Sequence, residues 1–270
     1  MSNVRTLVIT GYGTNCEVES AHAARVAGSD VTDIVFFSDL IAGKTRIDAY
    51  DFLVFPGGFL DGDDLGAAQA ASVRWRHAKD LQGNSLLEQL KTFLTAGGLV
   101  LGICNGFQLL VKLGLLPALG GASFTRQVSL ANNDSARFED RWVTLTVNPQ
   151  SPCVFTKGLS RLELPVRHGE GKLVVKEPAI LDSLLSSGAV ALQYADPVTG
   201  QPTMEYPANP NGSPQGIAGL TDPTGRVFGL MPHPEAFNHP TNHPDYTRGA
   251  RPTLGTVIFE NAVSYLRQRA

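Results

Sequence analysis

The chain has 270 residues, of which 43% are hydrophobic and 17% are charged, and its formal net charge is −3. This length and composition are typical of one large globular domain, or two small ones, with a substantial core. The slightly acidic balance and the lack of lysine or arginine runs argue against nucleic-acid binding, and no apolar stretch is long enough to span a membrane. The N-terminal segment lacks a signal-peptide pattern and three cysteines cannot form a full set of disulfides, so we expect a cytoplasmic protein.

The first half of the sequence alternates short apolar runs with stretches of helical periodicity. The apolar runs predict strands at residues 6–10, 31–37, 52–55 and 99–103. The helical periodicity predicts helices at residues 17–27 and 85–96. This alternation predicts an α/β fold with an open, mostly parallel sheet flanked by helices, whose site lies in the loops at the strand ends.

The second half is rich in predicted strands and ends in a helix. The strands are predicted at residues 142–147, 162–166, 190–194, 215–220 and 227–230, and the helix at residues 256–267. Prolines and glycines predict long loops at 196–214 and 238–254. Because the sequence contains no repeat and no low-complexity linker, we interpret residues 1–270 as a single domain.

Cys104 lies between two glycines, where the predicted strand 99–103 meets an amphipathic pattern that ends at Gly114. A sharp strand-to-helix turn forces its central residue into strained dihedral angles, and the flanking glycines remove side chains that would collide. The free N–H groups and the dipole of the following helix favour a thiolate and could bind a developing oxyanion. The pattern G-x-C-x-G therefore predicts a nucleophile elbow. The alternative is a buried cysteine that only fills the core.

A thiol nucleophile needs a base, and two of the six histidines are considered for a site. His168, in RHGEG, is predicted to lie in a turn, whereas His233, in VFGLMPHPEAF, closely follows the predicted strand 227–230. Pro234 favours an extended backbone, so the Glu235 carboxylate can orient the imidazole and stabilise its charged form. We predict that His233 and Glu235 assist the thiol; a purely structural histidine–glutamate pair is the alternative.

The histidine-rich segment HPEAFNHPTNHP suggests a different chemistry. His233, Glu235, His239 and His243 offer nitrogen and oxygen ligands for zinc. Prolines interrupt the helical spacing on which a metalloprotease site depends. A metal hydrolase is therefore the weaker hypothesis, and we expect no metal site.

The segment TGYGTNCEVES follows the first predicted strand and resembles a dinucleotide-binding turn. Its third glycine is missing, because Cys16 occupies that position, and the sequence contains no phosphate-binding loop of the Walker type. We therefore expect no cofactor on this chain and a structural role for Cys16.

Five segments resemble those of a known family: GTNCE, FPGGF, GICNGFQLL, RHGEG and NPNGSPQGIAGLTDPTGRVFGLMPHPE. Over nearly the whole chain they are similar to the class I glutamine amidotransferases. Asn105 after the cysteine and the N-x-N-G-S segment are similar to the branch that serves purine biosynthesis. The loop at 196–209 and the segment at 239–251 depart from the family pattern.

The resemblance implies a flavodoxin-like fold and hydrolysis of glutamine through a thioester. In that chemistry Cys104 would attack the side-chain amide, His233 would transfer the proton and Glu235 would orient His233. The resemblance also implies substrate-binding and oxyanion-hole residues, which are Gly58, Asn105, Gln108, His168 and Gly169. Among these, the backbone N–H groups of the first two would form the oxyanion hole.

The resemblance also implies a partner. The ammonia would pass to a separate ATP-dependent synthetase subunit, with or without a small accessory subunit, and ATP and Mg²⁺ would act there. Residues 132–142 would lie near the contact between the subunits. Peptidases and stress-response proteins that share the elbow, and relatives that only bind, are the alternatives, although these generally lack a downstream H-P-E.

Overall fold

A computed structural model describes residues 3–269, and the chain forms eleven strands within them. The strands are β1 (Arg5–Thr10), β2 (Val31–Phe36), β3 (Phe52–Phe55), β4 (Leu99–Ile103), β5 (Val128–Ala131), β6 (Glu139–Val147), β7 (Arg161–His168), β8 (Lys172–Val175), β9 (Val190–Ala195), β10 (Ile217–Thr221) and β11 (Val227–Leu230). Nine of them form one sheet in the order β2-β1-β3-β4-β11-β10-β9-β6-β7. The other two, β5 and β8, pair as a small antiparallel ribbon.

Seven α-helices lie between or after these strands. They are α1 (Glu17–Val26), α2 (Phe37–Ile41), α3 (Gln69–His77), α4 (Leu86–Thr95), α5 (Asn105–Leu113), α6 (Pro178–Ser186) and α7 (Val257–Arg269). Ser85 begins α4 by accepting a hydrogen bond from the Glu88 N–H at 3.4 Å. Gly114 ends α5 with a φ of 76°, in the left-handed region that favours glycine. None of the helices described here is long and apolar enough to cross a membrane.

The first half of the sheet, from β2 through β1, β3 and β4 to β11, is parallel. Phe52 and Phe55 lie on opposite faces of β3, because side chains alternate along a strand. Phe259 of α7 packs against Phe52 with ring centroids 6.2 Å apart, and Trp75 of α3 packs against Phe55 at 5.4 Å. Helices therefore cover both faces, and the carboxyl ends of the strands are the place for a site.

The second half of the sheet, from β11 through β10, β9 and β6 to β7, is antiparallel. β7 is the last strand in this order, yet its carboxyl-terminal part contacts the parallel half of the sheet. The Pro165 carbonyl of β7 accepts a hydrogen bond at 2.8 Å from the N–H of His233, which lies just after β11. The antiparallel part thus reaches the carboxyl ends of the parallel strands.

The predicted α/β class, with a mostly parallel sheet and an additional strand-rich part, is confirmed. The predicted strands at 52–55, 99–103 and 227–230 coincide with β3, β4 and β11. The strand predicted at 31–37 ends one residue earlier, because Phe37 begins α2. The sequence did not predict α2, α3, α6 or the β5–β8 ribbon. The predicted loops contain isolated bridges and short 3-10 turns only.

Candidate active site

Cys104 lies at the junction of β4 and α5, with a φ of 51° and a ψ of −102°. This conformation is unfavourable for a residue with a side chain. Its N–H donates a hydrogen bond to the Leu230 carbonyl at 2.8 Å, which ties the junction to β11. A Cβ on Gly102 would lie 2.8 Å from the Gly106 backbone, and a Cβ on Gly106 would overlap the Phe55 carbonyl oxygen. Both glycines are therefore required by the turn, and Cys104 occupies the predicted elbow.

His233 and Glu235 form a buried pair just beyond β11. The His233 Nδ1 lies 2.6 Å from the Glu235 Oε1, and both side chains are almost fully buried. A carboxylate only accepts hydrogen bonds, so Nδ1 carries the proton and donates it. Burial by itself disfavours the charged ring, but the charges of Glu235 and Cys104 outweigh it and raise the pKa of His233 well above its ordinary value.

The backbone between the two residues differs from the prediction. His233 is not helical, with a φ of −108° and a ψ of 89° just short of the extended region that we expected. Pro234, however, begins one turn of 3-10 helix that ends at Ala236. The fixed φ of proline suits the first position of a helical turn, and this turn brings the Glu235 carboxylate back onto the ring.

The second ring nitrogen of His233 is left free. Nε2 is buried and has no hydrogen-bond partner in the part of the chain described, residues 3–269. Cys104 and His233 line the same cavity, which has a volume of about 530 Å³. The Cys104 Sγ lies 3.6 Å from the Arg167 carbonyl oxygen of β7. A thiol and an unoccupied imidazole nitrogen therefore face one cavity.

The predicted oxyanion-hole residues lie at the same place. Gly58 lines the cavity and Asn105 is the first residue of α5. Gly58 has a φ of 134° and pairs with Thr14 through an isolated antiparallel bridge. Within residues 3–269, the backbone N–H groups of Gly58 and Asn105 donate to no protein acceptor. The N–H of Gly58, which lines the cavity, and that of Asn105, which follows Cys104 in the chain, are therefore available for an oxyanion.

The other three predicted site residues, Gln108, His168 and Gly169, also line the cavity. The Gln108 side chain is already engaged, because its Nε2 donates to the Glu170 carbonyl at 2.5 Å and its Oε1 accepts from the Asn105 Nδ2 at 3.0 Å. Gln108 thus joins α5 to the segment after β7.

His168 is the last residue of β7 and does not lie in a turn, because the β6–β7 pairing continues to its end. Its Nδ1 donates to the Asn133 Oδ1 at 3.1 Å, an oxygen that also accepts from the Gly171 N–H. Burial, with a smaller effect from the charge of His233, lowers the pKa of His168 to about 3. The ring is therefore neutral, and its buried Nε2 has no partner in the described part of the chain.

The N-x-N-G-S segment holds the chain that follows β7. Asn211 and Ser213 are buried, and the Asn211 Nδ2 donates to the Gly171 carbonyl at 2.9 Å. The Ser213 Oγ accepts from the Leu173 N–H at 3.0 Å. The segment that resembled the family at the sequence level therefore has a positioning role, which sequence reasoning did not assign.

Sequence reasoning missed two residues of the site, Cys16 and Arg167, both of which line the cavity. The Cys16 Sγ lies 4.0 Å from the His233 Nδ1, so Cys16, for which we expected a structural role, lies at the site. The Arg167 Nη2 lies 3.3 Å from the same Nδ1 and 3.8 Å from the Glu235 Oε1. The signal available for Cys16 was the GTNCE segment itself, since the bridge between Thr14 and the FPGGF segment brings it to the cavity.

Cys16, His233 and Glu235 are also the group whose geometry could hold a metal ion, since one ligand atom from each lies within 4.8 Å of the others. The Arg167 guanidinium borders all three, and its positive charge opposes a second cation there. The zinc set considered from the sequence is not assembled, because His239 is exposed and the ring of His243 binds Glu163 at 3.1 Å. The arrangement is better suited to proton transfer than to metal binding.

Comparison with known proteins agrees with this geometry. The sequence model of the CobB/CobQ-like glutamine amidotransferase domain matches residues 3–266. The phosphoribosylformylglycinamidine synthase subunit PurQ of Dehalococcoides mccartyi is 44% identical over 272 residues, which cover 99% of this chain and 100% of the relative. The protein of the same description from Methanococcus maripaludis is 43% identical over 277 residues and 98% of each chain.

A solved structure is similar as well. A chain in the structure of PurLQS from Thermotoga maritima aligns with a TM-score of 0.70 and 27% identity. The alignment covers 98% of this chain and 100% of that one. The similarity therefore extends over the antiparallel half of the sheet as well as the parallel half.

Proposed function

The chain belongs to the glutamine amidotransferase family, and from this we propose that Cys104, His233 and Glu235 hydrolyse the side-chain amide of glutamine. One observation carries the assignment of these roles. The buried His233 donates Nδ1–H to Glu235 at 2.6 Å and keeps Nε2 free of partners in the described residues, and the residue lines the same cavity as Cys104. This is the arrangement that a base needs in order to take a proton from a nucleophile.

The reaction then follows from the positions of these groups. The Cys104 Sγ attacks the amide carbon while His233 Nε2 takes the thiol proton, and Glu235 stabilises the imidazolium. The N–H groups of Gly58 and Asn105 bind the oxyanion of the tetrahedral intermediate. His233 returns the proton to the leaving nitrogen as the C–N bond breaks, which releases ammonia and leaves a thioester. Water, deprotonated by His233, attacks the thioester and releases glutamate.

Among the three free cysteines, the geometry supports Cys104 as the nucleophile. Cys16 faces the Nδ1 of His233, the nitrogen already occupied by Glu235, and burial raises the pKa of its thiol. Cys153 does not line the cavity, and burial raises the pKa of its thiol to about 11. Only Cys104 combines the strained turn with the N-terminus of a helix.

The substrate is held, in this proposal, by His168 at the end of β7, by Gly169 after it and by Gln108. The neutral His168 offers an unpartnered acceptor, Nε2, to an N–H group of the substrate. Gln108 contributes by holding the backbone at Glu170 and by fixing the Asn105 side chain. For the Gln108 side chain to contact the substrate directly, one of these two hydrogen bonds would have to be replaced by a hydrogen bond to the substrate.

The chain is the glutaminase subunit of phosphoribosylformylglycinamidine synthase, in agreement with the names of its relatives. Its partner is the formylglycinamidine ribonucleotide synthetase, the large subunit, which uses the ammonia to convert formylglycinamide ribonucleotide to formylglycinamidine ribonucleotide. We propose that ATP and Mg²⁺ act on that subunit and that this chain binds no cofactor. Its three cysteines are unpaired, which fits the cytoplasm that we propose as its compartment.

A covalent label tests the assignment of the nucleophile. A diazo-ketone analogue of glutamine should inactivate the enzyme with one label per chain, and peptide mapping should place the label on Cys104. The Cys153→Ala variant is the matched control and should be labelled as fast as the wild type. A label on Cys16 or Cys153 in the wild-type chain would overturn the assignment.

A further inference from the structure

Arg167 contacts every member of the proposed catalytic set. Its carbonyl oxygen lies 3.6 Å from the Cys104 Sγ. Its Nη2 lies 3.3 Å from the His233 Nδ1 and 3.8 Å from the Glu235 Oε1. The backbone of Arg167 therefore lies next to the thiol, and its guanidinium group lies next to the Nδ1 of the base.

The guanidinium group of Arg167 has few partners in this position. The His233 Nδ1 already donates its proton to Glu235, so it cannot accept a hydrogen bond from an arginine, which only donates. The distance of 3.8 Å to Glu235 is too long for a hydrogen bond. The Nε of Arg167 is buried and has no partner in the described residues. A cation with unused donors thus borders the cavity.

The side chain of Arg167 is 38% exposed and lines the same cavity as Cys104. It can move within the cavity, because no hydrogen bond to an oxygen holds its guanidinium group in the described part of the chain. Glutamine carries a carboxylate at the end opposite its reacting amide. A guanidinium group binds a carboxylate through two parallel hydrogen bonds, which gives both charge and geometry.

We propose that Arg167 recognises the α-carboxylate of glutamine and thereby determines specificity for an α-amino acid. The inference rests on the proposed function. Binding the carboxylate draws the guanidinium away from the His233 ring and removes a positive charge from beside the base. Binding of the carboxylate thus favours protonation of His233 when the Cys104 thiol attacks the amide.

The other charged candidates around the cavity are less suitable. Arg137 also lines it, but its side chain is exposed and solvated. His168 is neutral, because burial lowers its pKa to about 3. Asp63 and Glu170 carry the wrong sign for a carboxylate. Arg137 therefore serves as the matched control for Arg167.

The test compares glutamine with its α-carboxamide analogue, in which the carboxylate is replaced by a neutral amide. Ammonia release is measured for the wild type, Arg167→Gln, Arg167→Lys and Arg137→Gln, each with enough synthetase to saturate assembly, because Arg137 also lies in the predicted contact with that subunit. Loss of a charged hydrogen-bonded pair changes kcat/KM by roughly 10- to 100-fold. The wild type should prefer glutamine by that factor, and Arg167→Gln should lose most of the preference, because kcat/KM falls more for glutamine than for the carboxamide. Arg167→Lys should keep part of the preference, and Arg137→Gln should keep all of it.

A purely structural role predicts a different result. If Arg167→Gln slowed both substrates equally and left the preference intact, Arg167 would not contact the carboxylate and the proposal would be wrong. Loss of the preference in Arg137→Gln alone would assign the carboxylate to Arg137. Failure of the wild type to release ammonia from glutamine would count against the proposed function itself, which separates the two conclusions.

Discussion

The Nδ1 of His233 and the Oε1 of Glu235 lie 2.6 Å apart, and both side chains are almost entirely removed from solvent. This contact fixes the tautomer of the ring, so that Nε2 is the nitrogen left for proton transfer. It also supplies a negative charge where the imidazolium forms. The proposed chemistry depends on this pair as much as on the thiol.

Removal of the base, His233, should lower kcat more than neutralisation of its partner, Glu235. His233→Ala should lower the kcat of glutamine hydrolysis by on the order of 10⁶-fold, and Glu235→Gln by on the order of 10⁴-fold or less, as in other triads. In Glu235→Gln, the amide oxygen of the new side chain can still accept a hydrogen bond from Nδ1, but a neutral amide cannot balance the positive charge of the ring. Steady-state ammonia release measures both effects.

The control for this pair is His168→Ala, which removes the second imidazole of the cavity. We expect this variant to raise KM more than it lowers kcat, because the proposed role of His168 is to bind the substrate and not to transfer a proton. If His168→Ala abolished catalysis as completely as His233→Ala while glutamine still bound, the base would have been assigned to the wrong histidine.

Cys104→Ala should abolish glutamine hydrolysis and leave the fold intact, since Gly102 and Gly106 still permit the turn. Cys153→Ala should keep full glutaminase activity and lose only core packing. Cys16→Ala should retain activity within about tenfold, because Cys16 faces the occupied nitrogen of His233. Ammonia release and the circular dichroism spectrum check these outcomes, and a Cys16→Ala variant as inactive as Cys104→Ala would contradict them.

The buried His168 predicts a pH dependence of stability. Its pKa is about 3 in the folded chain and 6.5 in its ordinary state, so the unfolded chain binds a proton first as the pH falls. The buried His168 ring therefore leaves stability unaffected above about pH 6.5 and lowers it below that pH, by roughly 2 kcal/mol at pH 5. Because the raised pKa of His233 acts in the opposite direction over this range, the loss is measured as the difference between the wild type and a variant without the His168 ring, by urea unfolding at pH 7.5 and pH 5.

Two substitutions isolate the contribution of His168. The His168→Gln side chain cannot take up the proton. Between the two pH values, the free energy of unfolding of this variant should therefore fall by about 2 kcal/mol less than that of the wild type. His22→Gln alters an exposed histidine and should behave as the wild type does. Equal pH dependence in His168→Gln and the wild type would show that the buried ring does not resist protonation.

The segment 132–142 remains the predicted contact with the synthetase, and charge reversal distinguishes its two arginines. The side chain of Arg137 is exposed, so Arg137→Glu should weaken assembly, measured by analytical ultracentrifugation, more than it lowers intrinsic hydrolysis. Arg141 pairs with the buried Glu139 and donates to Tyr206 at 2.8 Å. Arg141→Glu should therefore also reduce the free energy of unfolding. Unchanged assembly in Arg137→Glu would argue against this contact surface.

The buried parallel strands were predictable because they are unbroken apolar runs, and β3, β4 and β11 have the predicted bounds. The missed elements have weaker local signals. The β5–β8 ribbon has only four residues in each strand. Helix α3 follows Ala68, which has a φ of 59°, and its start has no capping side chain. Tertiary contacts determine such elements more than their own sequence does.

The same limit applied to the site. Cys104 and His233 each lie at or just beyond the end of an apolar strand, so local pattern was enough to propose them. Arg167 and Cys16 reach the cavity through long-range contacts. β7 is the last strand in the sheet order, and only its return to His233 places Arg167 beside the base. No spacing in the sequence encodes that return.

Ammonium bypass tests the central claim, that glutamine hydrolysis at Cys104 supplies ammonia to the synthetase. The Cys104→Ala chain is assembled with active synthetase, ATP, Mg²⁺ and formylglycinamide ribonucleotide, and either glutamine or an ammonium salt is added. Formylglycinamidine ribonucleotide should form with ammonium and not with glutamine, whereas the wild-type assembly should use both. Product formation from glutamine by the Cys104→Ala assembly, or no product from ammonium, would contradict the account.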